Sequence, residues 1–252
     1  MSHADRFLGR AEVYAAARPG YPAALGEWLR GRGLLSGGVA DLGAGTGLFT
    51  RLLLDQGAVV TAVEPNGDMR AQLLGALDPF VQTGQLKVQA GTSEATGLEA
   101  GSVGLVTAAQ AAHWFDPVPT VQEFRRVLRP GGQVLLVWND WRGGDEPFNR
   151  AYGDVVRRHS APDTPEVISR SPDPELAILL PGGLEHYTFE NPLRLSRQRL
   201  RALAGSISYL PAPGDPQADE MGQDLDEIFD AHAAGGEVVL TYRTHAYLGQ
   251  LD

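Results

Sequence analysis

Short apolar runs alternate with amphipathic stretches along the middle of the chain, between Val39 and Trp138. Short runs rich in apolar and β-branched residues are typical of buried strands. Between them, apolar residues such as Met69, Leu73 and Leu77 recur at helical spacing, which predicts helices with one buried face. The predicted strands are Val39–Leu42, Ala58–Val63, Leu86–Ala90, Val103–Ala108 and Gln133–Trp138. This alternation predicts a parallel sheet with helices on both faces.

The pattern differs on either side of this region. The first forty residues look helical, with a turn at Arg18–Pro22, because proline disfavours helix in the residue before it. Beyond Asn139, the segment Asp140–Pro174 is rich in turn formers and charge. The elements predicted there are helices around Asn149–His159, Leu195–Ala204 and Gln217–Ala234, and strands at Leu184–Glu190 and Val238–Leu248.

Composition narrows the classes of function. Hydrophobic residues make up 43% of the 252 residues, which is enough for a real core. The formal net charge of −10 disfavours a protein that binds nucleic acid by neutralising phosphates, so no nucleic-acid partner is expected. The chain has no cysteine, and its six histidines lack the paired spacing of a zinc site, so no metal is expected. No signal peptide or membrane-length apolar stretch is found, and we expect a cytoplasmic protein without a membrane partner.

A glycine loop follows the first predicted strand, where ligands bind in open α/β sheets. The segment Asp41–Gly47 has the sequence DLGAGTG, and its glycines allow a ligand to approach the main chain. A dinucleotide fingerprint needs a sixth-position glycine, where this chain has Leu48. A pyrophosphate would also be repelled by Asp41, whereas a ligand with an ammonium and a sulfonium would be attracted. Glu64 ends the second strand, and a carboxylate there can accept hydrogen bonds from ribose hydroxyls.

These motifs carry a family resemblance. Val39–Gly47, Ala62–Asn66 and Leu128–Gly132 together resemble the class I S-adenosylmethionine-dependent methyltransferases. Tyr14 with Arg18–Pro22, and Ala109–Asp116, are similar to the methyltransferase type 11 branch, which contains trans-aconitate methyltransferase-like and ubiquinone/menaquinone-type enzymes. The resemblance covers roughly residues 7–140. The combined motifs specify the cofactor, which would be S-adenosylmethionine, with S-adenosylhomocysteine as its product. They say little about which acceptor receives the methyl group.

The resemblance implies an α/β fold: a Rossmann-like, seven-stranded, mostly parallel sheet with helices on both faces and a small helical cap. Its sixth strand would be Leu184–Glu190, and its last strand, Val238–Leu248, would be antiparallel. We expect one domain over residues 1–252. Within it, residues 1–35 would form an N-terminal helical lid, residues 36–140 the cofactor-binding core, and residues 141–252 the substrate cap and C-terminal strands.

The resemblance also implies roles for individual residues. The amino-acid part of the cofactor would be held by the glycine loop and Asp41, the ribose by Glu64, and the adenine by the segments after the second and third strands. Gln110 would lie near the methionine moiety, and Tyr14 and Arg18 would close over its carboxylate. The full predicted cofactor set is Tyr14, Arg18, Asp41, Gly43, Ala44, Gly45, Glu64, Pro65, Met69, Thr92, Ser93, Glu94 and Gln110.

Two positions depart from the family's pattern. Gly91 stands where many relatives carry an acid that bonds the adenine amino group, so that contact would come from backbone or water. Gly104 stands where many relatives carry aspartate in the fourth strand, which puts the packing of that strand in doubt.

Methyl transfer from a sulfonium is an in-line displacement that depends chiefly on alignment and exclusion of water. A general base is required only for an acceptor that is protonated at neutral pH. His113, just past the fourth strand, is the candidate base, and a packing or pocket-lining role is the alternative. The predicted substrate pocket consists of His113, Trp114, Trp138, Asn139 and Trp141.

The expected function is therefore methylation of a small molecule. A protein or RNA acceptor is a rival, although the acidic charge counts against RNA. A non-catalytic S-adenosylmethionine-binding protein is a second rival, because binding residues alone do not prove turnover. An NAD-dependent oxidoreductase is disfavoured by Leu48 and Asp41. The sequence does not indicate the oligomeric state.

Overall fold

A seven-stranded sheet with the order β3-β2-β1-β4-β5-β7-β6 forms the centre of the molecule. The computed structural model describes residues 19–142, 145–160, 173–207, 209–212 and 214–252. The strands are β1 Val39–Leu42, β2 Val60–Val63, β3 Leu86–Gln89, β4 Val103–Ala109, β5 Leu128–Asp140, β6 Leu184–Leu195 and β7 Val238–Gly249. Strands β1 to β5 are parallel, and β7 runs antiparallel to both of its neighbours. The predicted Rossmann-like fold, with an antiparallel last strand, is confirmed.

Helices cover both faces of this sheet. They are α1 Ala23–Gly31, α2 Leu48–Asp55, α3 Gly67–Gln82, α4 Pro117–Val127, α5 Pro147–His159, α6 Asp173–Leu179, α7 Arg197–Gly205 and α8 Pro216–His232. Helices α1, α2 and α3 bury residues such as Leu29, Leu53 and Leu73 in a first core on one face. Helices α4 and α6 bury Phe124 and Leu179 in a second core on the opposite face. Among the described residues, no helix combines the length and apolarity needed to cross a membrane.

Three elements differ from the sequence prediction by more than two residues. Strand β5 begins at Leu128 rather than Gln133, because its early residues pair with β4 across a shift in register. Strand β6 continues to Leu195 instead of ending at Glu190, since Pro192 lies on the sheet edge, where a missing N–H is tolerated. Helix α6 is not predicted at all, because seven residues are too few to establish a helical period.

Gly104 is explained by a close approach at the start of β4. A Cβ atom there would lie 3.1 Å from the Cα atom of Gly37. The Gly104 N–H donates to the carbonyls of Gly37 and Gly38, at 3.0 Å in each case. The residue that departs from the family's pattern therefore allows this contact, and β4 remains an intact central strand.

A third core lies at the far end of the β6–β7 hairpin. Strand β5 ends at Asp140, opposite Arg243, while β6 and β7 continue to pair with each other as far as Leu195 and Val238. Helices α5, α7 and α8 pack around this extension and bury, among others, Tyr152, Leu203, Leu225 and Leu240. This helical group therefore lies beyond the carboxyl end of β5, where the fold presents its ligand-binding edge.

Candidate functional site

The glycine loop occupies the point where the strand order reverses, between β1 and β4. Gly43, Gly45 and Gly47 all have positive φ, at 65°, 57° and 89°. A Cβ atom at Gly43 would meet the Ala111 side chain at 2.6 Å, and one at Gly47 would meet Leu73 at 2.9 Å. The outer two glycines are thus required by packing as well as by backbone conformation.

The middle of the loop is open by comparison. A Cβ atom at Gly45 would have Met69 Sδ, at 3.9 Å, as its neighbour. Ala44 closes the loop through its carbonyl, which accepts from the Gly47 N–H at 3.0 Å. The predicted loop residues and Met69 are thereby brought to one place.

Asp41 lies beneath the loop, with 1% of its surface exposed. Its Oδ2 accepts from the Thr50 hydroxyl at 2.6 Å, and its Oδ1 accepts from the Thr107 hydroxyl at 2.8 Å. Burial raises the pKa of Asp41 to about 6, with a smaller contribution from the nearby Glu64 carboxylate and opposition from the two hydroxyls. This arrangement favours support of the loop from below, and direct contact of Asp41 with a ligand stays a prediction.

Glu64 is brought directly to the glycine loop. Its Oε2 accepts from the Gly45 N–H at 2.9 Å, and its Oε1 accepts from the Asn66 N–H at 2.8 Å. Burial raises the pKa of the Glu64 carboxyl group, and these two N–H donors oppose the rise. The carboxylate thereby links the ends of β1 and β2 at the reversal point.

The segment after β2 is held by its own polar groups. Asn66 caps α3, its Oδ1 accepting from the Asp68 and Met69 N–H groups at 2.9 and 3.1 Å. Arg70 donates to the carbonyls of Glu64 and Pro65, at 2.7 and 2.8 Å. The predicted Pro65 and Met69 positions therefore border the loop on the β2 side.

The turn after β3 contains Thr92, Ser93 and Glu94. Thr92 and Ala95 exchange backbone hydrogen bonds, and Glu94 Oε1 accepts from the Ser93 hydroxyl at 2.8 Å. Burial alone would raise the pKa of Glu94, but hydrogen bonds from Thr92, the Asp116 N–H and Ser93 together lower it. These bonds tie the turn to Asp116, the residue before α4.

Gly91 precedes this turn and has no room for a side chain. A Cβ atom there would lie 2.8 Å from both the Thr96 carbonyl oxygen and Val63 Cγ1. An acid at this position would displace the backbone of the turn. Any contact with an adenine amino group therefore has to come from another group.

Gln110 stands at the carboxyl end of β4 in an unusual conformation. Its φ is 55°, which is positive although the residue is not glycine. Backbone strain of this kind is often found at functional sites. Its N–H donates to the Val137 carbonyl at 2.8 Å, and its side-chain Nε2 donates to the Asn139 carbonyl at 2.9 Å. The residue pattern alone gave no indication of this conformation.

The predicted pocket residues are divided between different parts of the fold. His113 and Trp114 lie in a short 3-10 helix after β4, with ring centroids 4.7 Å apart. Trp138 packs beside Tyr247 against the second core, at 5.8 Å. Trp141 packs on Tyr152 in the third core, at 4.9 Å.

Asn139, the remaining pocket candidate, is buried with 9% exposure. Its side-chain oxygen accepts from the Thr244 hydroxyl at 2.6 Å, and its side-chain nitrogen donates to the Gly20 carbonyl at 3.2 Å. Tyr14 and Arg18 lie outside the described residues.

Comparison with known proteins identifies the chain's family. A family model described as a methyltransferase domain matches residues 40–136. An uncharacterised methyltransferase-like protein of Schizosaccharomyces pombe is 31% identical over 222 residues, covering 85% of this chain and 82% of the relative. The chain belongs to the class I S-adenosylmethionine-dependent methyltransferase family, in its type 11 branch.

Two further relatives support this methyltransferase assignment. An uncharacterised methyltransferase of Mycobacterium tuberculosis is 40% identical over 152 residues, covering 60% of this chain and 58% of the relative's length. The chain thus spans little more than half of that relative. A solved structure, assigned as a type II methyltransferase from Anaeromyxobacter dehalogenans, aligns with a TM-score of 0.69 and 25% identity, covering 93% of this chain and 98% of that one.

The glycine loop contains a polar group that the sequence prediction did not single out. Thr46 is 7% exposed, and its buried hydroxyl has no hydrogen-bond partner among the residues that the structure describes. A buried hydroxyl without a partner is costly unless a ligand or water satisfies it. Together with the opening at Gly45 and the acceptor capacity of Glu64, it makes this loop fit the polar amino-acid and ribose groups of S-adenosylmethionine. Within the described ranges, no group of three or more His, Asp or Glu side chains is placed to hold a metal.

Proposed function

We propose that this methyltransferase transfers a methyl group from S-adenosylmethionine to a small-molecule acceptor by in-line displacement. The observation that best supports S-adenosylmethionine as the methyl donor is that Gly45, Thr46 and Glu64 lie together where the strand order reverses. Open α/β sheets bind ligands at this reversal. The cofactor supplies a sulfonium-bound methyl group, which is already an excellent donor.

The residues of the loop have complementary tasks in this proposal. Each carboxylate oxygen has more than one lone pair, so Glu64 can accept from ribose hydroxyls while it holds Gly45 and Asn66. The Thr46 hydroxyl donates to the amino-acid part of the cofactor. Pro65 and Met69 border the adenine, and the turn at Thr92, Ser93 and Glu94 forms its far side.

The acceptor proposal rests on the position of the third core. Helices α5, α7 and α8 lie beyond the carboxyl end of β5 and have a buried core of their own. A helical group in this place can enclose a small acceptor and exclude water from the reacting atoms. The net charge of −10 further disfavours an RNA acceptor.

His113 has two possible tasks within this reaction. It follows β4 at the carboxyl edge, three residues after Gln110, and there it could take a proton from the methyl acceptor. It also packs beside Trp114 as part of the wall. The role of base applies only if the acceptor loses a proton during transfer.

Ligand-dependent thermal stability tests the cofactor. A ligand that binds only the folded state raises the melting temperature, so S-adenosylhomocysteine should stabilise the protein and NAD should not. Stabilisation by NAD alone would contradict the proposal.

A methyl donor labelled on the transferred carbon tests the acceptor class. The protein is incubated with labelled S-adenosylmethionine and a cell extract, which is then separated into small molecules, protein and RNA. Label in the small-molecule fraction supports the proposal. Label confined to protein or RNA, or binding of the donor without any transfer, contradicts it.

A further inference from the structure

The side chain of Asn139 is the centre of a hydrogen-bond network at the carboxyl end of β5. Its Nδ2 donates to the Gly20 carbonyl at 3.2 Å, and its Oδ1 accepts from the Thr244 hydroxyl at 2.6 Å. The Asn191 amide donates to the same Gly20 carbonyl at 2.9 Å and to Asn139 Oδ1 at 3.3 Å. Three strands, β5, β6 and β7, thus contribute to one cluster.

The orientation of the Asn139 amide follows from its partners. A backbone carbonyl can only accept, so the NH₂ group must face Gly20. The oxygen then faces Thr244, whose hydroxyl has to donate to it. Thr244 is completely buried, and it therefore fixes the rotation of Asn139 without being exposed to any ligand.

The main chain of Asn139 extends this network to β4. Its carbonyl accepts from Nε2 of Gln110, whose φ of 55° places it in the left-handed region. A non-glycine residue keeps such a conformation only when its surroundings hold it there. The bonds to Asn139 and Val137 provide that hold.

Residues 19–22, on the other side of the network, pass along the edge of the sheet where the strands' carboxyl ends lie. Tyr21 packs edge-on against Phe49, with ring centroids 4.8 Å apart, and Phe49 lies in the first turn of α2. Gly20, one residue earlier, is bonded to Asn139 and Asn191. Residues 19–22 therefore run from the helix that follows the glycine loop to the carboxyl end of β5 and to Asn191 within β6.

We propose that Asn139 is a positioning residue for cofactor binding, which acts by holding residues 19–22 and Gln110 in place. It touches both groups, one through its side chain and the other through its carbonyl. Its amide is already engaged by the protein, so it acts on the cofactor through these two groups rather than by contacting the acceptor. The proposal rests on the proposed binding of S-adenosylmethionine at the glycine loop.

Substitution at Thr244 tests this proposal, because the buried Thr244 hydroxyl donates to Asn139, which links it to residues 19–22. Thr244→Val keeps the shape but removes the hydroxyl donor, whereas Thr244→Ser retains it. We expect Thr244→Val to raise the Kd for S-adenosylhomocysteine about fivefold, the effect of one neutral hydrogen bond, and Thr244→Ser to restore it. Asn139→Leu should raise the Kd by roughly tenfold or more, since it removes several bonds at once.

Hydrogen exchange without added ligand provides a readout that does not depend on the cofactor. Backbone amides of the peptide containing residues 19–22 should exchange faster in Thr244→Val and Asn139→Leu than in the wild type or Thr244→Ser. Gln85→Leu is the matched control, because the Gln85 amide also bonds two backbone carbonyls, those of Leu54 and Ala58, at the opposite edge of the sheet. It should lower stability without changing the Kd.

The outcomes separate the two proposals. A wild-type protein that does not bind S-adenosylhomocysteine would overturn the proposed function, and the exchange data would still test whether Asn139 holds residues 19–22. If the wild type binds and Thr244→Val binds equally well with unchanged exchange, the positioning role is overturned. If Asn139→Leu fails to fold, the Thr244 pair decides the question.

Discussion

Asp41 and Glu64 are acids at the ends of neighbouring strands, yet the structure uses them differently. Glu64 faces the glycine loop and binds its Gly45 N–H, whereas Asp41 is enclosed by Thr50 and Thr107. Motif spacing predicts that both acids lie near the loop. It cannot show the burial of Asp41, because Thr107 is 66 residues away and meets it only through strand pairing.

The role of His113 can be decided by two substitutions. If it is the base, His113→Ala and His113→Phe should both lower turnover by roughly 100-fold or more, while the Kd of S-adenosylhomocysteine stays nearly constant. If it only packs beside Trp114, the phenylalanine variant should keep most of the turnover. Steady-state rates and calorimetric binding, measured on both variants, distinguish these results.

At the scale of elements, local patterns predict the central strands and most helices. Periodic apolar residues indicate α3, and the glycine loop marks the join between β1 and α2. The remaining strand boundaries depend on pairing between strands that are distant in the sequence. The bulge at the start of β5 requires the register of β4, and the full length of β6 requires β7 as its partner. One hydrogen bond of the Asn139 network joins residues 171 positions apart, Gly20 and Asn191, so no local pattern reveals the network.

Asp41 connects three elements, β1, α2 and β4, and its titration should affect their stability. Its pKa is 3.8 when unperturbed and about 6 in the folded protein, so the folded state retains a proton that the unfolded state loses between these values. This contribution is therefore fully present below about pH 4 and is lost as pH rises to about 6, by roughly 3 kcal/mol at most.

Replacing the carboxyl group should remove this pH dependence. Relative to the wild type, Asp41→Asn should gain stability between pH 4 and pH 6.5, because an amide does not have to ionise in a buried place. Urea unfolding of both proteins across this range measures the difference. A constant difference at every pH would show that Asp41 does not titrate abnormally.

At the scale of the whole molecule, the chain combines a seven-stranded sheet with a helical group that has a separate core. The first two cores lie on the faces of the sheet, and the third lies around the end of the β6–β7 hairpin. The turn-rich composition after Asn139 predicts a change of architecture there. It does not predict that the helices share a core with the ends of two strands, since that core forms only after the hairpin has paired.

A cavity in the third core should separate acceptor binding from cofactor binding. Leu225→Ala, at a position 1% exposed, should lower stability by about 2–5 kcal/mol and raise the KM for the acceptor, while the Kd of S-adenosylhomocysteine is unchanged. Leu179→Ala, in the second core and equally buried, is the matched control for lost stability without an effect on the acceptor. An equal loss of cofactor affinity in Leu225→Ala would contradict a separate task for this core.

We propose that the loop from Gly43 to Gly47 and the Glu64 carboxylate together hold S-adenosylmethionine. Calorimetric titration of S-adenosylhomocysteine into the wild type and Glu64→Gln tests it most directly. Loss of a charged hydrogen-bond acceptor should raise the Kd by about 10- to 150-fold. The melting temperature without ligand should also fall, because the glutamine NH₂ group cannot accept from the second of the two backbone N–H groups that Glu64 holds. Equal affinity in the two proteins would contradict a role of Glu64 in holding the cofactor.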